Sequence, residues 1–179
     1  VHVHERNQRG DTFGWGVVFS DATLGELSGG DETALQRIRD AFVYWRDMET
    51  HIHGQTRISS GHGFCGMRRT TLLEILEDRA VELGVPVTHG DDVLDVEALA
   101  ATCDVVVAAD GVNSGVRNAW AAHFQPTVDH RKCRFAWFGT TKVYERFTFL
   151  FAENDAGLFQ VHAYPFDDTM STFIIECRE

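Results

Sequence analysis

The sequence predicts an α/β fold class: a Rossmann-like α/β unit followed by an antiparallel β-sheet. In the first part, short apolar runs alternate with amphipathic helical patterns, as in α/β folds. One such run, Val105–Ala109, is short enough for a buried strand and leads into the turn signal Asp110-Gly111. After Pro126, aromatic and β-branched runs are separated by turn residues, which is typical of antiparallel strands. We therefore predict an α/β domain over residues 1–125 and a sheet domain over residues 126–179.

The N-terminal residues predict two strands. Val1–Glu5 alternates in hydrophobicity and ends at an acid, so Glu5 is expected at the C-terminal tip of a strand. Phe13–Ser20 carries two glycines around Trp15. Glycines in such a segment either let the backbone approach a flat ligand or allow the tryptophan to pack in a core.

A first helix is predicted over Asp31–Asp47, with Asp31 as its N-cap. Its apolar stripe is formed by Leu35, Ile38, Phe42 and Trp45. His51–Ile58 then predicts a strand of a hairpin, with His51 and His53 on one face. This histidine pair has no third ligand in view, so no metal site is predicted.

The clearest helical pattern begins at Arg68-Arg69, where Thr71 and Glu74 have the spacing of a capping box. The predicted buried stripe consists of Leu72, Ile75, Leu76, Ala80 and Leu83. Gly84 is expected to end the helix as its C′ residue. The two arginines oppose the helix dipole, so they either meet an anion there or form a solvated pair.

The remaining elements are shorter. Val85–His89 predicts a strand, residues 92–102 a linker with one or two helical turns, and residues 114–122 a helix. Strands of the antiparallel sheet are predicted over residues 134–141, 147–152, 158–164 and 171–177.

Composition narrows the function classes. The net charge of −11 argues against nucleic acid and against an anionic membrane surface as partners. The four cysteines form no CxxC pair and predict reduced, buried thiols in a cytoplasmic protein. No apolar run reaches about 18 residues, so no membrane span is predicted. Because both ends fall in or beside strand patterns, we expect the chain to be a segment of a longer protein.

Two acids are candidates for ligand binding. A strand that ends at Asp110-Gly111 beside a helix start can hold a polar ligand, although an ordinary strand-to-helix turn explains the pattern equally well. An acid such as Glu5 at a strand tip can accept hydrogen bonds from nucleotide ribose hydroxyls, with a glycine-rich loop about 20 residues earlier. Hydrolase and Walker motifs are absent from the sequence, so any redox chemistry would come from a bound cofactor.

Three motifs in chain order resemble the single-component, flavin-dependent aromatic hydroxylases typified by p-hydroxybenzoate hydroxylase. They are Glu5 at a strand tip, Arg69 at a helix start, and Asp110-Gly111 followed by Ser114 and Arg117. Residues 13–25, 137–140 and 161–174 are similar to the salicylyl-CoA 5-hydroxylase and 2-aminobenzoyl-CoA monooxygenase group, and to the violacein-pathway indole hydroxylase. The GxGxxG and Gly-Asp motifs of that family are absent, so the resemblance covers only the middle of such an enzyme.

The resemblance implies the cofactors FAD and NAD(P)H. It places Glu5 at the FAD adenosine ribose, Arg69 at the pyrophosphate, and Asp110-Gly111 beside the pyrophosphate and the nicotinamide cofactor. The residues expected near the flavin ring are Gly14, Trp15, Gly16 and Val17. The sheet would cover the substrate, with His162 and Tyr164 as pocket residues; a location on the outer face or in the core is the alternative for this pair.

The resemblance also implies a reaction. NAD(P)H reduces FAD, O2 gives a flavin C4a-hydroperoxide, and this species hydroxylates an aromatic acyl-CoA or an indole-type substrate. No side chain is a catalytic candidate, because the flavin carries the chemistry. The chain alone is expected to be inactive. A nucleotide-binding module of a dehydrogenase or reductase is the alternative function, and the aromatic sheet after Pro126 argues against it because such a module does not need one.

Overall fold

The computed structural model describes residues 1–27 and 29–178. The elements in chain order are β1 (Val3–Glu5), β2 (Gly16–Ser20), α1 (Asp21–Leu27), α2 (Glu32–Asp40), β3 (Val43–Ile52), β4 (Gln55–Arg68), α3 (Arg69–Glu82), β5 (Val87–His89), α4 (Val96–Ala100), α5 (Gly115–Ala119), α6 (Ala121–Phe124), β6 (Cys133–Thr140), β7 (Phe147–Asn154), β8 (Gly157–Pro165) and β9 (Ser171–Arg178). No helix in this part of the chain is long and apolar enough to cross a membrane.

A seven-stranded sheet forms the centre of the molecule, in the order β2-β4-β3-β7-β8-β9-β6. Every pairing is antiparallel except β3 with β7, which is parallel. The predicted fold class, α/β followed by an antiparallel sheet, is confirmed. The sheet takes strands from both sides of residue 125, and the domain limits 1–125 and 126–179 stay a prediction.

A second, two-stranded sheet pairs β1 with β5 in parallel, with Glu5 opposite His89. Helix α3 precedes β5 in the chain, and Glu77 in the middle part of the helix lies 3.6 Å from His89, the last residue of β5. Arg9, in the turn after β1, forms ion pairs with the same part of the helix. The ends of both parallel strands therefore lie beside helix α3.

Aromatic rings from several strands build the core of the large sheet. The Tyr164 ring stacks on Phe147 at 5.3 Å and on Trp45 at 6.2 Å between centroids. Phe166, which follows β8, and Met67 in β4 are also buried. Because each aromatic side chain removes about 150–250 Å² from water, these rings dominate the stability of the sheet.

The helix predicted over Asp31–Asp47 is longer than the helix in the structure, α2 (Glu32–Asp40). Asp31 is the N-cap, and its Oδ1 accepts the Ala34 N–H at 2.8 Å, but the helix ends at Asp40 and β3 begins at Val43. Trp45, assigned to the helical stripe, is 5 % exposed within β3. Residues 43–45 are β-branched and aromatic, and pairing them with β4 buries the indole.

The prediction that His51 and His53 share a strand face is wrong. β3 ends at Ile52, and His53 and Gly54 form the turn into β4 with φ of 49° and 72°. Two-residue hairpins favour positive φ at both positions. Among the described residues, no three histidine, cysteine, aspartate or glutamate side chains form a group that could hold a metal ion.

The predicted capping box is also wrong. β4 pairs with β2 up to Arg68, so the helix begins at Arg69, before Thr71, and its N-cap makes no side-chain hydrogen bond. The stripe is only half-buried, with Leu76 46 % and Leu83 58 % exposed. The C-terminal prediction is confirmed, since Gly84 follows the C-cap with φ of 71°.

The buried strand predicted at Val105–Ala109 does not form. Val105 and Val107 are 75 % and 83 % exposed, and in the described chain these residues pair with no strand. A strand needs a partner for its backbone groups, and hydrophobicity alone does not supply one. The helix after it is present but is divided at Trp120 into α5 and α6.

The four cysteines are free. Cys65 is buried as predicted, and burial raises the pKa of its thiol to about 11. Cys103 and Cys133 are exposed and Cys177 is partly exposed, so the prediction of buried thiols is wrong for them. Cys103 lies in the loop after α4, and Cys133 is the first residue of β6.

Candidate functional site

Residues 13–16, the Gly–Trp segment, lie against strand β6. A Cβ atom on Gly14 would stand 2.7 Å from the ring of Trp137, and one on Gly139 would stand 2.7 Å from the ring of Trp15. Each tryptophan therefore lies on the glycine of the other segment, and we call this contact the Trp–Gly interlock. Gly14 has φ of 84°, a conformation that favours glycine. Only glycine at these two positions gives the indoles this room.

The backbone of Gly16 forms hydrogen bonds with side chains of β8 and β9. Its N–H donates to Thr172 Oγ1 at 3.1 Å, and its carbonyl accepts the Tyr164 hydroxyl at 3.1 Å. A Cβ at this position would stand 2.6 Å from Thr172 Oγ1 and 2.9 Å from Phe166. The backbone at Gly16 therefore lies closer to Thr172 and Phe166 than a residue with a Cβ atom would permit.

Arg69 joins the start of α3 to this place. Its backbone N–H donates to the Trp15 carbonyl at 3.0 Å, and its Nε donates to Thr12 Oγ1 at 3.2 Å. The guanidinium lies 5.8 Å from the centroid of the Trp137 ring, within cation–π range. A cation, an indole face and a helix start without a side-chain cap are thus brought together.

Trp137 also has a polar atom to satisfy. Its Nε1 is buried and has no hydrogen-bond partner among the described residues, and Phe13 contacts its ring edge-on at 5.5 Å. Buried N–H groups are almost always paired. An unpaired donor beside a guanidinium suits an acceptor oxygen of a ligand.

Glu5 lies where the sequence predicted, at the tip of β1. Its Oε1 accepts hydrogen bonds from Asn7, from the backbone N–H at 2.8 Å and from Nδ2 at 2.7 Å. Farther along the same turn, Arg9 forms ion pairs with Glu77 at 2.9 Å and Asp78 at 2.6 Å. These contacts fasten the turn between β1 and the Gly–Trp segment to helix α3.

The Asp110–Arg117 motif makes a self-contained turn. Asp110 Oδ2 accepts the Val116 N–H at 3.2 Å, and Ser114 Oγ accepts the Arg117 N–H at 2.9 Å. Hydrogen bonds from Ser114 and from Val116 lower the pKa of the Asp110 carboxyl. Gly111 has φ of 85°. No hydrogen bond, ion pair or ring contact of the described residues joins this motif to Glu5 or Arg69.

His162 and Tyr164 share one face of β8, and both rings contact Phe147, at 6.3 and 5.3 Å. Tyr164 is 4 % exposed, and its burial raises the pKa of its hydroxyl. His162 is less enclosed: its Nε2 lies 2.6 Å from Gln160 Nε2 and 4.0 Å from Glu176 Oε2. Their contact with substrate stays a prediction.

Sequence reasoning missed Thr172 and the part played by Trp137. Both lie in segments that carried the family resemblance, but Thr172 acts on Gly16 across 156 residues of chain. The signal that was available is the repeated pairing of a tryptophan with a glycine, in residues 13–16 and in residues 137–139. Nothing in the sequence says that these two segments face each other.

Comparison with protein-family models gives no match. Curated proteins do match. The chain is 40 % identical over 176 residues to the salicyloyl-CoA 5-hydroxylase of a Streptomyces species. It is 32 % identical over 176 residues to the 3-hydroxy-4-methyl-anthranilyl-[aryl-carrier protein] 5-monooxygenase of Streptosporangium sibiricum. It is 31 % identical over 189 residues to the protodeoxyviolaceinate monooxygenase of Chromobacterium violaceum.

These matches cover 98–100 % of the chain but only 34 %, 49 % and 48 % of the three relatives. The chain therefore spans a third to a half of the length of the curated proteins that it matches. The matches confirm the resemblance described from the sequence.

Solved structures show the same fold. A tetrameric form of 2-methyl-3-hydroxypyridine-5-carboxylic acid oxygenase superposes with a TM-score of 0.68 at 17 % identity, over 99 % of this chain and 52 % of that one. PqsL of Pseudomonas aeruginosa, described as "a probable FAD-dependent monooxygenase", superposes with a TM-score of 0.66 at 18 % identity, over 99 % of this chain and 53 % of that one.

Proposed function

We propose that this chain is the central part of an FAD-dependent monooxygenase that hydroxylates an aromatic substrate, with NAD(P)H as the reductant. Three relatives between 31 % and 40 % identical are named as hydroxylases or monooxygenases. The observation that carries the proposal is the meeting of the Gly–Trp segment, Arg69 and the unpaired Trp137 N–H at one place.

The residues present fit FAD. Arg69 stands at a helix start that has no side-chain cap, and a pyrophosphate supplies the negative charge that this arrangement favours. Glu5 at the tip of β1 is a hydrogen-bond acceptor of the kind that ribose hydroxyls need. The Gly–Trp segment provides close backbone approach for the flat flavin ring, through Gly14, Trp15, Gly16 and Val17. Asp110-Gly111 is proposed to support the pyrophosphate and the nicotinamide cofactor.

When bound, FAD supplies the transfer of one oxygen atom of O2 to the aromatic ring. The residues of this chain bind, orient and exclude water, because water in the site would waste the activated oxygen. The sheet face that carries His162 and Tyr164 suits this task, since the rings of Phe147, Phe149 and Tyr164 lie on it. His162 contacts Phe149 edge-on at 5.0 Å and is the polar group proposed to meet the substrate on this face.

The substrate class is proposed to be an aromatic acyl thioester. Two of the three relatives carry such a group in their names, a salicyloyl-CoA and an anthranilyl group on a carrier protein. The third acts on protodeoxyviolaceinate, which keeps an indole-type substrate as the second candidate.

The exposed free thiols of Cys103 and Cys133 support a cytoplasmic location.

The experiment uses the protein that carries this chain, purified without added cofactor. We expect flavin absorption bands in the visible region, and consumption of NADH or NADPH with O2 when an aromatic CoA thioester is present. With 18O2, the product should gain one labelled oxygen. A purified protein that lacks flavin and does not bind added FAD contradicts the proposal. FAD binding with no oxygen incorporated into thioester or indole substrates would favour a reductase module instead.

A further inference from the structure

Both backbone polar groups of Gly16 are held by side chains that are far away in the sequence. Thr172, in β9, accepts the N–H across 156 residues, and Tyr164, in β8, donates to the carbonyl across 148 residues. Gly16 begins β2, at the opposite edge of the sheet order from β9 and β6. We call this arrangement the Gly16 clamp.

The two side chains of the clamp are themselves fixed. Thr172 is 0 % exposed and Tyr164 is 4 % exposed. They are direct partners in the register of β8 and β9, and Thr172 is also the partner of Gly139 in β6. Stacking on Phe147 holds the Tyr164 ring. The hydroxyls therefore reach Gly16 from a rigid support.

The clamp continues into the Trp–Gly interlock. Trp15 precedes Gly16, and its ring covers Gly139, the residue that pairs with Thr172. Its carbonyl accepts the Arg69 N–H at 3.0 Å. Three consecutive backbone hydrogen bonds thus fix the segment at Trp15 and Gly16, and two of them come from the clamp.

We propose that Thr172 and Tyr164 are positioning residues of the FAD site: acting through Gly16, they set where the Gly–Trp segment stands against the flavin ring. This inference rests on the proposed function. Removal of either hydroxyl leaves a buried polar group of Gly16 without a partner, and the segment must move to recover one. Sites that bind flat cofactors tolerate little displacement of their walls.

The test compares four variants of the protein that carries this chain. Thr172→Val and Tyr164→Phe each delete one hydroxyl of the clamp at nearly constant volume, whereas Thr172→Ser keeps the acceptor. Thr148→Val is the matched control. Thr148 is also a buried threonine, 3 % exposed, but it pairs with Ala163 on the opposite face of the sheet and its hydroxyl donates to the Arg146 carbonyl.

Two measurements are made on each variant. Hydrogen–deuterium exchange of the FAD-free protein reports the protection of a peptide that covers residues 13–18. Titration with FAD, followed by flavin fluorescence, reports the dissociation constant. We expect Thr172→Val and Tyr164→Phe each to speed exchange of this peptide and to raise the FAD dissociation constant roughly three- to tenfold. Thr172→Ser and Thr148→Val should stay within about twofold of the parent.

The outcomes separate the inference from the function on which it rests. Unchanged exchange in both deletion variants overturns the clamp. Faster exchange with an unchanged FAD dissociation constant overturns the positioning role, while the proposed function stands. A parent protein that does not bind FAD overturns the proposed function, and the exchange result then still decides whether the clamp exists. If Thr148→Val matches Thr172→Val in both measurements, the effect is a general loss of stability and the inference is wrong.

Discussion

Replacing Gly139 by alanine tests the Trp–Gly interlock, because the expected sign of the effect depends on it. On backbone grounds the change should help: alanine in a strand loses less conformational freedom on folding, a gain of about 0.5–1 kcal/mol. Gly139 has no positive φ that would oppose the change. A stabilised protein is therefore the expectation if the space above Gly139 is open.

The structure predicts the opposite sign. The new Cβ would stand 2.7 Å from Trp15 Cδ2 and 2.9 Å from Cε2 and Cε3, which is too close for any packed carbon. Overpacking of this kind costs about 1–3 kcal/mol. The difference of the two terms leaves a net loss of about 1 kcal/mol in the free energy of unfolding.

Urea unfolding, followed by circular dichroism, measures this change. Gly25→Ala is the control, since Gly25 lies within α1 and a Cβ there meets no atom of residues 1–27 and 29–178 within 4 Å. It should stabilise the protein by about 0.5–1 kcal/mol. In a Trp15→Ala background, Gly139→Ala should lose its penalty. If Gly139→Ala stabilises the protein as much as Gly25→Ala does, the Trp–Gly interlock does not exist, and the proposed FAD site lacks its main contact.

Three further predictions address single residues. Arg69→Ala should weaken FAD binding by about 1.5–3 kcal/mol through loss of a charge-assisted bond to phosphate, and an unchanged dissociation constant would contradict this. At pH 8, a thiol reagent should label Cys103 at once and Cys65 only on unfolding; because the Cys65 pKa is raised to about 11, stability should also fall as pH rises from 9 to 11. Arg79 lowers the pKa of Asp31 through a hydrogen-bonded ion pair, so stability should fall as pH drops through the Asp31 pKa, and an acid titration of Arg79→Met should show a smaller fall.

The antiparallel strands after Pro126 were predictable because their aromatic, β-branched runs are bounded by turn residues. The prediction at Val105–Ala109 failed although its composition is as strand-like, because a strand also needs a neighbour and composition does not identify one. The predicted length of the helix that begins after Asp31 was wrong for a related reason. Phe42 and Trp45 fit the helical period, but tertiary pairing with β4 overrode the pattern.

The candidate site divides in the same way. Glu5 at a strand tip is a local feature, and the structure places it where the pattern predicted. The start of α3 is also local, but the prediction favoured Thr71 as the cap because it did not include the pairing of Arg68 with Gly16. Because Arg68 pairs with Gly16, the next residue, Arg69, lies beside Trp15. The position of the Arg69 side chain near the Gly–Trp segment is therefore set by the register of the sheet and not by helix capping.

The same register explains why two glycines and two tryptophans are needed together. An indole that lies on a backbone requires a residue without Cβ beneath it, and the contact here is made twice in opposite directions. If only one glycine were present, one indole would have to turn away, and the Gly–Trp segment would lose one of its two contacts with β6. The interlock therefore acts as a single unit, which predicts that Gly14→Ala and Gly139→Ala will be non-additive in one protein.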